Sequence, residues 1–144
     1  MIDPPEGTNA LRVNFSNQNW NAMSFYARSF TDCGGIGAHV KEGGSTSPHD
    51  ESLTVEEDSL IMMTACSNVA IQTMQIPQGT TVADINHNTN KQVAVGAISN
   101  SGHSAGSIPL RTTVNNNTVT LDAVEIKGLS SSGGGGESNF FMVM

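Results

Sequence analysis

The chain has 144 residues and a formal net charge of -7, and both numbers limit what it can be. This length suits one domain with its own core and is short for two. With 6 Lys and Arg against 13 Asp and Glu, repulsion opposes non-specific binding to nucleic acid or to an anionic membrane surface.

Charged residues make up only 13% of the chain, against about 25% in typical soluble proteins. Surface polarity must therefore come from Asn, Ser, Thr, Gln and Gly, a composition typical of turn-rich sheet proteins and of surfaces packed against other subunits. No apolar run approaches the roughly 20 residues that a membrane span needs.

The N-terminal sequence Met1-Ile-Asp-Pro-Pro-Glu lacks the basic segment and apolar core of a signal peptide. We therefore expect synthesis in a host cytoplasm. In that compartment the two cysteines, Cys33 and Cys66, are expected to stay reduced, with a disulfide between them as the open alternative.

The first thirty residues predict an extended arm followed by two strands. Residues 1–9 contain Pro4 and Pro5 and predict an arm without sheet partners of its own. Alternation of apolar and polar residues predicts strands at 11–15 and 20–30. The aromatic rings of Trp20 and Tyr26 would stack on a sugar if the protein bound a glycan; the alternative for Trp20 is an anchor in the core or in a subunit contact.

Residues 32–51 predict a glycine-rich loop at 32–37, a short strand at 38–41 and a long polar loop at 42–51. The glycine-rich run lacks the Lys-Ser/Thr ending of a P-loop and does not fit the dinucleotide fingerprint. Four residues here are of metal-binding types, but no paired ligand motif is present, so no metal site is predicted. These residues are His39, His49, Asp50 and Glu51.

The least polar segment between turn signals is 59–66, which predicts a central strand buried on both faces. Leu53 and Val55 alternate with polar residues before it, and the three acids at 56–58 predict a turn in solvent. The capping-box spacing within 54–57 makes a short helix the alternative. The period of two on both sides favours the strand.

The following region predicts further strands separated by loops. We expect a strand at 69–76 with a bulge at 72–73, a turn at 77–79, a strand at 80–85, a loop at 86–90, a strand at 92–99 covered on both sides, and a loop at 100–106. Ser101, His103 and Ser104 in the last loop have no nearby acid and no nucleophile elbow, so hydrolase chemistry is not predicted.

Three asparagines at 115–117 join two β-rich runs, 109–114 and 118–121, and predict a hairpin. The second strand continues to Lys127, with a bulge near Asp122 where the apolar parity changes. The Gly/Ser composition of 129–138 is typical of a flexible linker, which reaches up to ~35 Å when extended. The apolar end after it either folds back as a last strand or docks into a partner.

Two runs carry a resemblance. Val55-Glu-Glu-Asp-Ser-Leu-Ile-Met-Met, a middle punctuated by glycine and asparagine, and a terminal Asn117-Thr-Val-Thr-Leu-Asp-Ala-Val-Glu-Ile-Lys-Gly resemble the small β-sandwich domains of tailed-phage virion proteins. That group includes capsid decoration proteins and fibre or tail-tip modules. The resemblance covers about 53–128, implies a structural role and supplies no catalytic residues.

We predict an all-β fold, an antiparallel, jelly-roll-like β-sandwich in a single domain. It would comprise an extended N-terminal arm at 1–9, the sandwich at 10–128, a linker at 129–138 and an apolar C-terminal tail or strand at 139–144. The predicted function is that of a virion structural protein, most simply a capsid decoration protein. It would be a homo-oligomer that also contacts other virion subunits, without catalytic activity or a cofactor. The predicted contacts are Ile2, Pro4, Pro5, Phe140, Phe141, Met142, Val143 and Met144.

Two alternatives remain from other classes of protein. One is a carbohydrate-binding or receptor-binding module, with Trp20, Tyr26 and the loops at 86–90 and 100–106 as the ligand surface. The other is a Ca²⁺-stabilised adhesin domain, because carboxylate oxygens suit that ion. Its ligands would come from Asp50, Glu51, Glu56, Glu57 and Asp58.

Overall fold

The computed structural model describes residues 26–30, 33–44, 47–82, 84–89, 92–115, 118–128 and 139–143. Within these ranges the chain forms ten β-strands, and no helix there is long and apolar enough to cross a membrane. The strands are β1 (Tyr26–Phe30), β2 (Cys33–Gly44), β3 (His49–Val55), β4 (Leu60–Ser67), β5 (Ile71–Gln75), β6 (Asp84–Thr89), β7 (Gln92–Ile98), β8 (Gly106–Val114), β9 (Val119–Gly128) and β10 (Asn139–Val143). The predicted arm at 1–9 and the predicted strand at 11–15 lie outside the described residues.

The strands form two antiparallel sheets and a separate two-stranded ribbon. The larger sheet has five strands in the order β2-β9-β4-β7-β6, and the smaller has three in the order β3-β8-β5. One apolar cluster takes side chains from both sheets, among them Leu53 and Leu110 from the smaller and Met63 and Leu121 from the larger. The predicted all-β sandwich is therefore confirmed.

The strand pairs are nested, as in a jelly roll. β2 pairs with β9, β3 with β8 and β4 with β7, and these pairs alternate between the two sheets. Inside these three pairs, the chain reverses at the turn 77–79, where Gln75 and Thr81 form a single antiparallel bridge. Nested antiparallel strand pairs that alternate between two packed sheets are the jelly-roll arrangement.

The central strand lies where the sequence predicts it. β4 hydrogen-bonds to β7 on one side and to β9 on the other. Ile61 and Met63 belong to the cluster between the sheets, whereas Met62 belongs to a second cluster on the opposite face. All three side chains are 0% exposed. β4 is therefore buried on both faces, and the helix alternative is wrong.

The predicted hairpin around residues 115–117 is wrong. β8 pairs with β3 and β5 in the smaller sheet, while β9 pairs with β2 and β4 in the larger one. The connection after Val114 thus crosses from one sheet to the other, and Val114 and Val119 are buried in the core on either side of it. An asparagine-rich turn predicts that the chain reverses, but not that the two strands pair with each other.

Two predictions of irregularity had different outcomes. The bulge at 72–73 is confirmed, because the β5–β8 register shifts between Ile71 and Thr73. The bulge near Asp122 is wrong, since β9 pairs with β4 from Leu60↔Ile126 to Ser67↔Val119 without a shift. The apolar parity changes there because the second half of β9 is buried on both faces.

Three predicted loops prove to be largely strand. β2 covers most of the predicted glycine-rich loop and the start of the polar loop at 42–51, with register shifts between Cys33 and Gly35 and between Ile36 and His39. Gly35 has a φ of 108°, a conformation that glycine adopts without strain, so glycine serves here as a bulge residue inside a strand. β3 takes the end of that polar loop, and β6 includes 86–89 of the predicted asparagine loop.

Candidate interaction surfaces

The described residues of metal-binding types do not converge on one point. His39 lies 2.7 Å from Asp122 across the β2–β9 pair, whereas His49 lies 3.5 Å from Glu51 along β3. Asp50 is on the other face of β3, where it pairs with Arg111. Among the described residues, no group of three His, Cys, Asp or Glu side chains is placed to hold a metal ion.

His103 holds the loop at 100–106 against the turn that precedes β4. Its backbone N–H donates to the Ser59 carbonyl at 2.9 Å, and its carbonyl accepts from the Asp58 N–H at 2.8 Å. The ring Nε2 is buried without a hydrogen-bond partner, and burial lowers the pKa of His103 because it disfavours the charged form. The position therefore suits a neutral, structural imidazole rather than a general base.

Glu125 is a buried carboxylate at the same end of the sandwich. Its side chain is 2% exposed and belongs to β9, in phase with the core residues Val119 and Leu121. Oε1 accepts from the Glu56 N–H and from the Ser59 hydroxyl, both at 2.6 Å, and Oε2 accepts from the Ala38 N–H at 2.8 Å. One carboxylate thus joins β2, β9 and the turn between β3 and β4.

The protonation of Glu125 follows from these contacts. Burial raises the pKa of Glu125, but hydrogen bonds from the Ser59 hydroxyl and from the backbone N–H groups of Glu56 and Ala38, with the charge of Lys127, outweigh burial and hold the pKa below its usual value. Lys127 is itself ion-paired with Glu56. The carboxylate is therefore ionised and accepts three hydrogen bonds, which supports a structural role for it.

Sequence reasoning missed this cluster, although one signal was present. Glu125 has the same parity as Val119, Leu121 and Ala123, so a regular strand places an acid on the core face. A bulge near Asp122 would change this parity and turn Glu125 away from the core, so the predicted bulge left no sign of a buried acid. An acid in phase with a core-facing run predicts a buried carboxylate that requires donors.

The outer face of the smaller sheet is polar and nearly uncharged, and we call it the hydroxyl face. Its side chains alternate with the core residues of β3, β5 and β8 and are exposed or half-buried. The hydroxyls of Thr73 and Thr113 bond to each other across the β5–β8 pair. The hydroxyl face consists of Asp50, Ser52, Thr54, Thr73, Gln75, Ser107, Pro109, Arg111 and Thr113.

The only charges on the hydroxyl face neutralise each other. Arg111 Nε donates to Asp50 Oδ1 at 2.6 Å, and Nη2 donates to Oδ2 at 2.7 Å. The hydrogen bond and charge of Arg111 lower the pKa of Asp50 against the opposing effect of burial, and the hydrogen bond to Asp50 raises the pKa of Arg111. This fork-to-fork geometry leaves the face without a net charge.

Among its described side chains, the outer face of the larger sheet has an apolar half and a polar half. The apolar half, which we call the outer cluster, contains the buried Cys33, Met62, Val124 and Ile126, with Phe30, Leu60 and Ile98 packed against them. The other half carries exposed Thr120 and Cys66. Cys33 and Cys66 do not form a disulfide, as expected.

The C-terminal tail folds back as a strand, one of the two expected arrangements. β10 pairs with β1 in antiparallel register from Tyr26↔Val143 to Phe30↔Asn139. This places Tyr26 and four of the predicted contacts, Phe140, Phe141, Met142 and Val143, in one ribbon, and their role in assembly stays a prediction. Ile2, Pro4, Pro5, Trp20 and Met144 lie outside the described residues.

Two of the acids proposed for calcium binding already have cationic partners. Asp50 pairs with Arg111, and Glu56 pairs with Lys127. Glu51 lies beside His49 on the other face of β3 from Asp50. These contacts give no support to the adhesin alternative.

The chain matches no protein-family model, no curated protein and no solved structure. The fold and its surfaces therefore carry the functional argument.

Proposed function

We propose that this protein is a virion structural subunit, most simply a capsid decoration protein, that acts through contacts with other copies and other virion subunits rather than through catalysis. The hydroxyl face is the observation that supports this proposal. It is an exposed face of a three-stranded sheet, and its one ion pair is internally neutralised.

The chemistry of the hydroxyl face suits protein–protein contact. Burying an unpaired charge is costly, whereas hydroxyls lose little when they exchange water for new partners. Asp50 and Arg111 already satisfy each other, so a partner surface can cover them without leaving a lone charge. Interfaces away from the rim are depleted in charged residues in the same way.

The fold supports the proposal at the level of architecture. Double-sheet jelly rolls occur in viral capsid proteins, but they also occur in lectins, so the fold does not by itself separate a structural subunit from a carbohydrate-binding module. The loop at 86–90 is one part of the ligand surface of the carbohydrate alternative, beside Trp20, Tyr26 and the loop at 100–106, and 86–89 belong to strand β6. No described contact favours that alternative over assembly.

The test is the native mass of the purified chain across a concentration series, measured by sedimentation velocity. We expect reversible association that Thr54→Glu weakens, because the substitution places an uncompensated charge on the hydroxyl face. Thr120→Glu is the matched control, since Thr120 is also an exposed strand threonine but lies on the other sheet.

A wild-type chain that stays monomeric throughout, together with saturable quenching of tryptophan fluorescence by sugars, would favour the carbohydrate-binding module instead. Equal effects of the two substitutions would show that the hydroxyl face is not the contact.

A further inference from the structure

The ribbon of β1 and β10 is separate from the rest of the sandwich in its backbone pairing. β10 pairs with β1 along five residue pairs, and neither strand belongs to the five-stranded or the three-stranded sheet. An isolated two-stranded ribbon is marginally stable in water, so it needs packing against the domain. Phe30, the last residue of β1, provides such packing against the outer cluster.

The connection to β10 is long enough to reach a neighbouring molecule. Residues 129–138 separate β9 from β10 and include four consecutive glycines. Ten residues span up to ~35 Å when extended, whereas a compact domain of this length has a radius of gyration of only ~15 Å. β10 of one copy can therefore lie on the ribbon position of an adjoining copy.

We propose that β10 is exchanged between copies in the assembled protein, so that Asn139–Val143 of one copy pairs with Tyr26–Phe30 of its neighbour. The proposal rests on the proposed function, because it requires copies that meet. The same five residue pairs form within one chain and between two chains, so exchange keeps every ladder contact. Exchange of an identical element is a low-cost route to oligomers.

Local concentration decides between the closed and the exchanged forms. A connection of about ten residues with a Gly/Ser composition gives an effective concentration in the millimolar range for pairing within the chain. In dilute solution β10 therefore returns to its own β1. Where copies are held side by side, as in an ordered shell, the neighbour's β1 reaches a similar effective concentration and the two pairings compete on equal terms.

Variants with one added cysteine test the exchange, because Ala27 is directly opposite Met142 in the register. Ala27→Cys and Met142→Cys are made separately in a Cys66→Ser background, since Cys66 is an exposed thiol. The two variants are mixed at a concentration where the native mass shows association, and they are then oxidised. We expect a covalent dimer that contains one chain of each kind.

The matched control mixes Ala27→Cys with Asn139→Cys, because Asn139 is opposite Phe30 rather than Ala27. Disulfides require short Cβ–Cβ distances, so we expect about tenfold less mixed dimer from this pair. If a variant loses its β circular dichroism signal, Ser29→Cys with Phe140→Cys supplies a second in-register pair.

An associated chain that gives no mixed dimer, while the Ala27→Cys/Met142→Cys double variant closes within one chain, overturns the exchange and leaves the proposed function intact. A chain that neither associates nor gives mixed dimer at any concentration counts against both. Equal yields from the in-register and off-register mixtures would indicate random collision and also overturn the exchange.

Discussion

The carboxylate of Glu125 occupies the space that a side chain at Gly37 would fill. A Cβ built on Gly37 would lie 1.8 Å from Glu125 Oε2 and 2.5 Å from its Cδ. The buried Glu125 on β9 thus depends on a glycine at position 37 of β2 for its space. The next residue of β2, Ala38, donates to the same carboxylate across 87 positions of sequence.

Gly37→Ala is expected to lower the free energy of unfolding by about 1–3 kcal/mol, because the new methyl group must displace a hydrogen-bonded carboxylate or bend β2. Denaturant unfolding followed by circular dichroism measures the change. Gly43→Ala in the same strand is the control, since a Cβ there would meet its nearest heavy atom, Thr120 Oγ1, at 3.6 Å, an ordinary contact.

The cause of that loss can be isolated with a double-mutant cycle. In a Glu125→Ala background the clash with the carboxylate is absent. The remaining close contact, 2.8 Å from the new Cβ to Lys127 Cε, is with the far end of a flexible side chain, so Gly37→Ala should cost much less than it does in the wild-type chain. Additive effects of the two substitutions would mean that the strain at position 37 has another source.

Glu125 also predicts a dependence of stability on acid. Its pKa is lower in the folded state, so between the folded value and the ordinary value of 4.5 the unfolded chain binds more protons. The stabilisation is therefore present above pH 4.5 and is lost as the pH falls through the lowered folded pKa. Glu125→Gln should flatten this limb of the stability profile and cost about 1–3 kcal/mol at neutral pH, because an amide accepts less well from three donors.

Glu57→Gln is the control for that profile, because Glu57 is an exposed acid in the adjoining turn. It should leave both the acid limb and the neutral stability close to those of the wild type. An acid limb unchanged by Glu125→Gln would remove the carboxylate as its cause.

As the pH falls, His103 should cause a first loss of stability, at a higher pH than the loss that Glu125 causes. Burial holds its pKa below 6.5, so the unfolded chain takes up the proton first as the pH falls below that value. Stability should therefore begin to fall below about pH 6.5. In His103→Gln this first step should disappear, while the later step from Glu125 remains. A wild-type chain whose stability is constant between pH 5 and 7 would contradict the prediction.

Local sequence patterns predicted local features well and pairing between distant strands poorly. The apolar run at 59–66 predicted β4 because a strand buried on both faces needs no particular parity, and its boundaries are turn residues. The hairpin after Val114 was wrong because a turn signal carries no information about which sheet accepts the next strand. Pairing of β9 with β2 and β4 depends on residues more than fifty positions away.

The lack of information about distant strand partners also explains why the glycines of β2 were predicted as a loop and why the burial of Glu125 was not predicted. The glycines of β2 indicate a loop when only their neighbours are considered. Opposite Glu125 and β9 they are strand residues that leave room for a side chain or a bulge. The hydroxyl face was equally hidden, because alternation shows that Ser52 and Thr54 face away from the core but not that Ser107 lies across from Thr54.

Adjacent methionines in β4 test whether the larger sheet is covered on both faces in solution. Met63 packs into the core between the sheets and Met62 into the outer cluster, and both are 0% exposed. Each Met→Ala substitution should therefore cost about 2–5 kcal/mol in unfolding free energy, because each leaves a buried cavity. The matched control is Cys66→Ala on the same strand, where the exposed side chain should change stability by less than about 0.5 kcal/mol.

If Met62→Ala costs no more than Cys66→Ala while Met63→Ala costs its full amount, the outer cluster is open to water in solution. The packing that anchors the β1–β10 ribbon would then be missing as well.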